Sequence, residues 1–245
     1  MFRPGQLSPR ARNVAAAIIQ RSWEWICAVG ATSPDDAAGR RFRRMGHRSM
    51  IAFPPGSLFN QRWIEIGAHT LIGPHVSMSV GMWSEELDPR APAVISIGDR
   101  CNIGRGNSLV GRVSIAIGDD VTTAPDVYIT DHNHAYDDVD VPIARQWPRE
   151  AAVSIGSGSW IGAGVVVLPG TMIGEHVTVA AGSVVRGDIP DRSVVAGVPG
   201  RVVRRWVDGT WDPPLGPREV EPPDDWQAGT MGRDVRCNGG REERS

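Results

Sequence analysis

The sequence predicts an all-β protein built as a parallel β-helix of triangular cross-section, with a helical segment before it and a flexible tail after it. Three observations carry that reading. Aliphatic residues recur every six positions through the middle of the chain, glycine follows many of them directly, and small or β-branched residues precede them by two positions.

The period is the strongest of the three. Ile66, Ile72 and Met78 form one run, Ile97, Ile103 and Leu109 a second, and Ile155, Ile161, Val167, Ile173, Val179 and Val185 an unbroken third. Six residues of α-helix turn through about 600° and land on different faces, whereas an even spacing returns to one face of a strand. Gly67, Gly73, Gly98, Gly104, Gly118, Gly156, Gly162 and Gly174 follow the repeated aliphatic position, so a turn is expected soon after each short strand. Thr70, Val76, Val127, Val153, Ser159 and Val165, two residues before it, suit a tightly stacked pleated surface. Three hexapeptides make one coil, and the stretches 61–78, 94–129 and 151–199 hold about six coils. The expected organisation is an accessory helical segment over 1–60, the β-helix over 61–205 and a flexible tail over 206–245.

In the first segment Val14, Ile18, Trp25 and Val29 recur near helical spacing, which predicts an amphipathic helix from Ser8 to Val29. Gln20, Arg21 and Glu24 interrupt it, so it is not a spanning helix. Its apolar side is expected to pack against the main body and cover one end of the prism, with membrane contact the lesser alternative. Around Val202 to Trp206 the chain is expected to cover the other end. Two stretches break the period, Ser79 to Ala93 and Thr130 to Ala152; loops expelled from a solenoid are where function concentrates. The tail carries Pro213, Pro214, Pro217, Pro222 and Pro223 among acidic residues and no period.

Composition narrows the chemistry. All 26 basic residues among the 245 are arginine. With no lysine, Schiff-base and pyridoxal chemistry and the phosphate-binding lysine of P-loops are excluded. The net charge of −2 is no nucleic-acid footprint, although residues 1–48 hold nine Arg against three acids. Cys27, Cys101 and Cys237, odd in number and in no ligand pattern, read as reduced thiols of a cytoplasmic protein.

At this point the chain resembles the left-handed β-helix acyltransferases with hexapeptide repeats, in the branch of the maltose and galactoside O-acetyltransferases. Besides the repeats, the resemblance rests on Ala-Pro-Asp-Val-Tyr-Ile-Thr-Asp-His-Asn-His-Ala-Tyr-Asp-Asp (124–138), Ser-Trp-Ile-Gly-Ala-Gly (159–164) and Val-Ala-Gly-Val-Pro-Gly-Arg-Val-Val-Arg-Arg (195–205). It covers residues 60–205. It implies the left-handed sense of the coil, a homotrimer with sites between subunits, and acetyl-CoA as donor, with no metal required. A loop histidine would take the proton from the acceptor hydroxyl, a task that imidazole, titrating near neutrality, suits. Counting from Ala124-Pro125, the family's catalytic histidine falls on His134, with His132 the runner-up.

The resemblance also places Trp160 beside the CoA cleft, Ala163 and Ala181 where small side chains admit the pantetheine arm, and Arg201 and Arg204 near the CoA 3′-phosphate. On the acceptor side Asn107 is the nearest counterpart of an asparagine that the sugar enzymes use, an outward turn residue being the other reading. Asp131 would orient the loop or the acceptor. Three rival readings stay open: an N-acyltransferase acting on an amino sugar or amine, a γ-carbonic-anhydrase-like zinc enzyme drawing on His69 and His75, and a β-helix scaffold without catalysis.

Overall fold

A computed structural model of the chain describes residues 8–81, 88 and 90–216. Each run of aliphatics is dealt out in turn to three sheets, so that Ile66, Ile72 and Met78 fall in the first, second and third. The first sheet holds β1 (Arg44–Met45), β4 (Ile64–Ile66), β7 (Ile95–Ile97), β10 (Ile115–Ile117), β15 (Val153–Ile155), β18 (Met172–Ile173) and β21 (Asp188–Ile189). The second holds β2 (Met50–Ile51), β5 (Leu71–Ile72), β8 (Asn102–Ile103), β11 (Thr122–Thr123), β16 (Trp160–Ile161), β19 (Thr178–Val179) and β22 (Ser193–Ala196). The third holds β3 (Leu58–Phe59), β6 (Ser77–Val80), β9 (Ser108–Gly111), β12 (Tyr128–Thr130), β17 (Val166–Val167) and β20 (Val184–Val185).

Register turns the six-residue period into columns. Ile66, Ile97, Ile117, Ile155, Ile173 and Ile189 are successive partners up the first sheet. Met78, Leu109, Ile129, Val167 and Val185 stack in the third. All of these side chains are buried, and each fully buried aliphatic contributes about 1.5–3 kcal/mol. The column of the second sheet, Ile72, Ile103, Thr123, Ile161, Val179 and Val195, has one polar member, Thr123.

The glycines after the aliphatics have a sharper reason than a turn. None of the eight has a positive φ; a Cβ on Gly162 would stand 2.6 Å from the backbone N of Ala181 in the next coil. Close stacking of coils therefore demands glycine there, and the left-handed backbone falls two residues later, at His69, Arg100, Asp120 and His176. Corner polar groups tie one coil to the next. Ala68 N–H donates to Asp99 Oδ1 at 2.7 Å and Asp99 N–H to Asp119 Oδ1 at 2.8 Å.

Three expectations change at the ends. The β-helix starts at Arg44 rather than 61, because β1, β2 and β3 pair with β4, β5 and β6 as a first coil. A hexapeptide reading missed this coil because Met45, Ile51 and Leu58 are six and then seven apart, and Ala52 rather than glycine follows Ile51. The helix α1 (Pro9–Gly30) forms as predicted, capped by Ser8, whose Oγ accepts from Ala11 N–H at 3.3 Å. It does not dock on the prism: no residue of it is buried, although its last residue, Gly30, lies against the Phe53 ring. At the other end β23 (Arg201–Val207) runs antiparallel on β22, and β24 (Thr210–Asp212) folds back on β23, so ordered strand continues past residue 206. Residues 217–245 of the expected tail, Cys237 included, lie outside the described residues, as does most of 82–89 in the first loop.

Candidate active site

The second loop is not a free excursion. It leaves β12, and β13 (His132–Asn133) pairs antiparallel with β14 (Arg149–Glu150) to make an arm standing off the corner between the third and first sheets. Its root is Asp131, whose carboxylate has no exposed surface. That carboxylate accepts from the backbone N–H groups of Arg112, Val113 and Ser114 at 2.7 to 2.9 Å. It also meets His132 Nδ1 at 3.0 Å. Burial by itself would raise the Asp131 carboxyl, but the His132 contact and the three N–H donors outweigh it and hold the group below its ordinary range. Arg112 closes the root, with Nε on Glu150 Oε1 at 2.7 Å and its guanidinium 5.1 Å from the centre of the Trp147 ring.

Asp131 is thus a positioning residue for the arm, not an acceptor ligand, since no face of it reaches solvent. His132 is half-buried against it, whereas His134 stands exposed beyond Asn133. Farther out Tyr136, Val139 and Trp147 are exposed apolar side chains.

Asn107 does not reach an acceptor either. It is fully buried; its amide donates to Thr123 Oγ1, and its Oδ1 accepts from Val127 N–H at 2.8 Å. Asn107 and Thr123 satisfy one another inside the prism, which is why the aliphatic column of the second sheet carries a threonine at that level.

The residues expected at the donor lie on one side of the prism. Trp160 is 45% exposed on the outer face of the second sheet, in register with Thr178, and Thr178 with Val194. Arg204 of β23 stands opposite Val194, and Arg201 opposite Ala196. Residues three apart on a regular strand face opposite ways, but the register slips by one between Val194 and Val195. That bulge leaves Val203 unpaired and returns both arginines to the outer face that carries Trp160. Trp160 and Arg204 are three strand spacings apart along that face, about 4.8 Å each. Arg204 Nε is buried and has no hydrogen-bond partner among the described residues.

Beside this face lies the corner between the second and third sheets, where Ala163 and Ala181 stack in successive coils and are exposed. Gly182 N–H donates to the Ala163 carbonyl at 2.8 Å, and a Cβ on Gly164 or Gly182 would meet nothing within 4 Å. The corner is therefore an open strip of small side chains. It is a different corner of the prism from the one that carries the arm, so one chain does not bring His134 to Ala163.

Sequence reasoning missed Arg112, Glu150 and Trp147, which hold the arm, and a shallow cavity of about 360 Å³ lined by His176, Arg192, Trp206 and Trp211. Among the described residues no three His, Cys, Asp or Glu side chains are grouped to hold a metal ion. His69 instead packs edge-on against His47, ring centres 4.7 Å apart.

A coiled stack of hexapeptides with a histidine-bearing arm and an aromatic and arginine-lined face defines a class of transferase, and comparison with known proteins agrees. Residues 152–187 match the model of the bacterial transferase hexapeptide (six repeats), and residues 94–131 that of the hexapeptide repeat of succinyl-transferase. The chain is 36% identical over 141 residues to the putative lipopolysaccharide biosynthesis O-acetyl transferase WbbJ of Escherichia coli K12, covering 55% of this chain and 70% of that one. To the galactoside O-acetyltransferase of the same organism it is 34% identical over 128 residues, 48% of this chain and 60% of that one. The crystal structure of AntD, an N-acyltransferase from Bacillus cereus in complex with dTDP and 3-hydroxybutyryl-CoA, superposes with a TM-score of 0.59 at 21% identity, over 70% of this chain and 87% of that one. That last likeness is one of fold.

The chain belongs to the hexapeptide-repeat transferases, the left-handed β-helix acyltransferases, and is an acyltransferase of that family.

Proposed function

We propose that the protein is an acetyl-CoA-dependent O-acetyltransferase that moves the acetyl group to a hydroxyl of a saccharide or other small molecule, with His134 as general base. The observation that carries the donor half is the outer face on which Trp160, Arg201 and Arg204 align beside the open Ala163 and Ala181 corner. A strip of small residues admits a narrow pantetheine arm, and planar guanidinium groups suit the CoA 3′-phosphate. Two relatives, a putative lipopolysaccharide biosynthesis O-acetyl transferase and a galactoside O-acetyltransferase, support a saccharide acceptor.

The base and the donor strip occupy different corners, so the reading requires a neighbouring copy, and a homotrimer supplies three such clefts. The exposed Tyr136, Val139 and Trp147 of the arm are the surface such a copy would cover. In the reaction His134 takes the acceptor's hydroxyl proton and the oxygen attacks the thioester carbonyl. The carbon–sulfur bond then breaks, and the CoA thiolate leaves with the proton from the histidine. The products are an ester and free CoA, and the step needs no metal. A cytoplasmic location, where CoA thioesters and reduced thiols coexist, completes the proposal.

A second reading keeps everything but the base. His132 is the histidine with a buried carboxylate on Nδ1, an arrangement that fixes tautomer and orientation. Release of CoA thiol from acetyl-CoA in the presence of saccharide acceptors tests both. His134→Ala is expected to lose about 10²–10⁴-fold in turnover while calorimetry shows unchanged acetyl-CoA binding. Full activity in His134→Ala with loss in His132→Ala would assign the base to His132, and failure of the native protein to bind acetyl-CoA at millimolar ligand would sink the donor assignment. A product stable to mild alkali would replace the ester by an amide.

A further inference from the structure

We infer that α1 is an amphipathic helix that docks on an anionic lipid surface. All 22 residues are left unburied by the rest of the chain. On a helical wheel Val14, Trp25, Ile18 and Val29 fall within about 60° of one another, and Ile26, Ile19 and Trp23 continue the same side. Ile19, Trp25 and Val29 are 68%, 66% and 64% exposed. Asn13, Gln20 and Glu24 occupy the opposite side, with Arg10 and Arg21 at one border and Arg12 beside Trp23 at the other. A face this wide and apolar is stable as helix only against something apolar.

Charge selects the occupant. Arg10, Arg12 and Arg21 outnumber Glu24 on the helix, and the segment that follows it adds exposed Arg40, Arg41 and Arg48 against Asp35 and Asp36. Among the described residues none of these six arginines forms an ion pair. A second copy would bring the same positive charge to the contact, whereas acidic headgroups neutralise it. Trp25 and Trp23, toward the two edges of the apolar side, fit the headgroup boundary, where an amphipathic ring is favoured. The helix lies on such a surface and does not cross it, since no described helix is long and apolar enough to span.

Sedimentation of the full-length protein with vesicles tests the inference. Pelleting is expected with phosphatidylcholine–phosphatidylglycerol vesicles, to weaken with salt, and to be slight with phosphatidylcholine alone. Ile18→Glu with Trp25→Glu should weaken binding by about tenfold or more, by placing charge against the apolar boundary. Arg10→Gln with Arg12→Gln and Arg21→Gln, which leaves the apolar face whole, should lower binding to the anionic vesicles only. Circular dichroism and the melting of the β-helix serve as folding controls. Equal pelleting with both vesicle types, no pelleting at all, or unchanged binding by both variants would overturn it. So would an Ile18→Glu/Trp25→Glu protein that falls apart into single chains in light scattering, which would assign the face to a second copy.

Discussion

The carboxylate of Asp131, sealed from solvent, holds Nδ1 of His132 at 3.0 Å while three successive backbone N–H groups close on its other lone pairs. One buried charge thus fixes the root of the arm that carries both histidines.

The sign of its effect on stability follows. The Asp131 carboxyl is held below its ordinary range in the folded protein, so it contributes stability that is fully present above about pH 4 and is lost as pH falls through the folded value. Asp131→Asn should cost about 1–3 kcal/mol at neutral pH, and its stability should fall less steeply below pH 4 than that of the native protein. Urea unfolding at pH 7 and pH 3 measures both; parallel loss in the two proteins would remove Asp131 from the acid transition.

Arg204→Ala should weaken acetyl-CoA by about tenfold and 3′-dephospho-acetyl-CoA much less, because only the first carries the phosphate a guanidinium would meet. Arg201→Ala should do the same more mildly, as Arg201 is exposed and already donates to the Gly200 carbonyl at 2.9 Å. Calorimetry with the two ligands decides, and equal losses would remove the phosphate role.

Gly162→Ala should destabilise the β-helix by about 1–3 kcal/mol, because the new Cβ would lie 2.6 Å from Ala181 N and 2.8 Å from the Val179 carbonyl. Gly182→Ala, which meets no atom within 4 Å, should cost less and mainly through its φ of +70°. Thermal unfolding of the pair separates close approach from backbone conformation.

Cys101 is buried, and burial pushes its thiol up to about 11. Iodoacetamide at pH 8 should therefore label Cys27 while leaving Cys101 unmodified until denaturant is added. Peptide mapping reads this directly, and early labelling of Cys101 would mean that the coil opens locally.

The placement of several candidate residues was legible because it rides on the repeat. Trp160, Ala163 and Ala181 sit in hexapeptides whose register the aliphatic period already specifies, so their outward placement follows from the strand alternation. Asn107 was misread for a physical reason: asparagine at a corner is equally at home facing water, and only the neighbouring coil's Thr123 shows that it turns inward. The arm was legible as an interruption but not as a paired element, since the bond network of Asp131, Arg112 and Glu150 joins residues 19 to 38 positions apart. The first coil was hidden because its third strand comes seven residues after the second and Ala52 stands where a glycine follows in later coils.

By itself the sequence determined the strands, their inward columns and the corners, because an even period returns the same side chain to the same face whatever the rest of the chain does. Tertiary structure alone decided which exposed residues share a surface. The slip at Val194 and Val195 carries Arg204 onto the face of Trp160, and the turning of the prism sets the arm and the small-residue strip on separate corners. Both depend on how one coil meets the next, a relation between distant residues that no local spacing encodes.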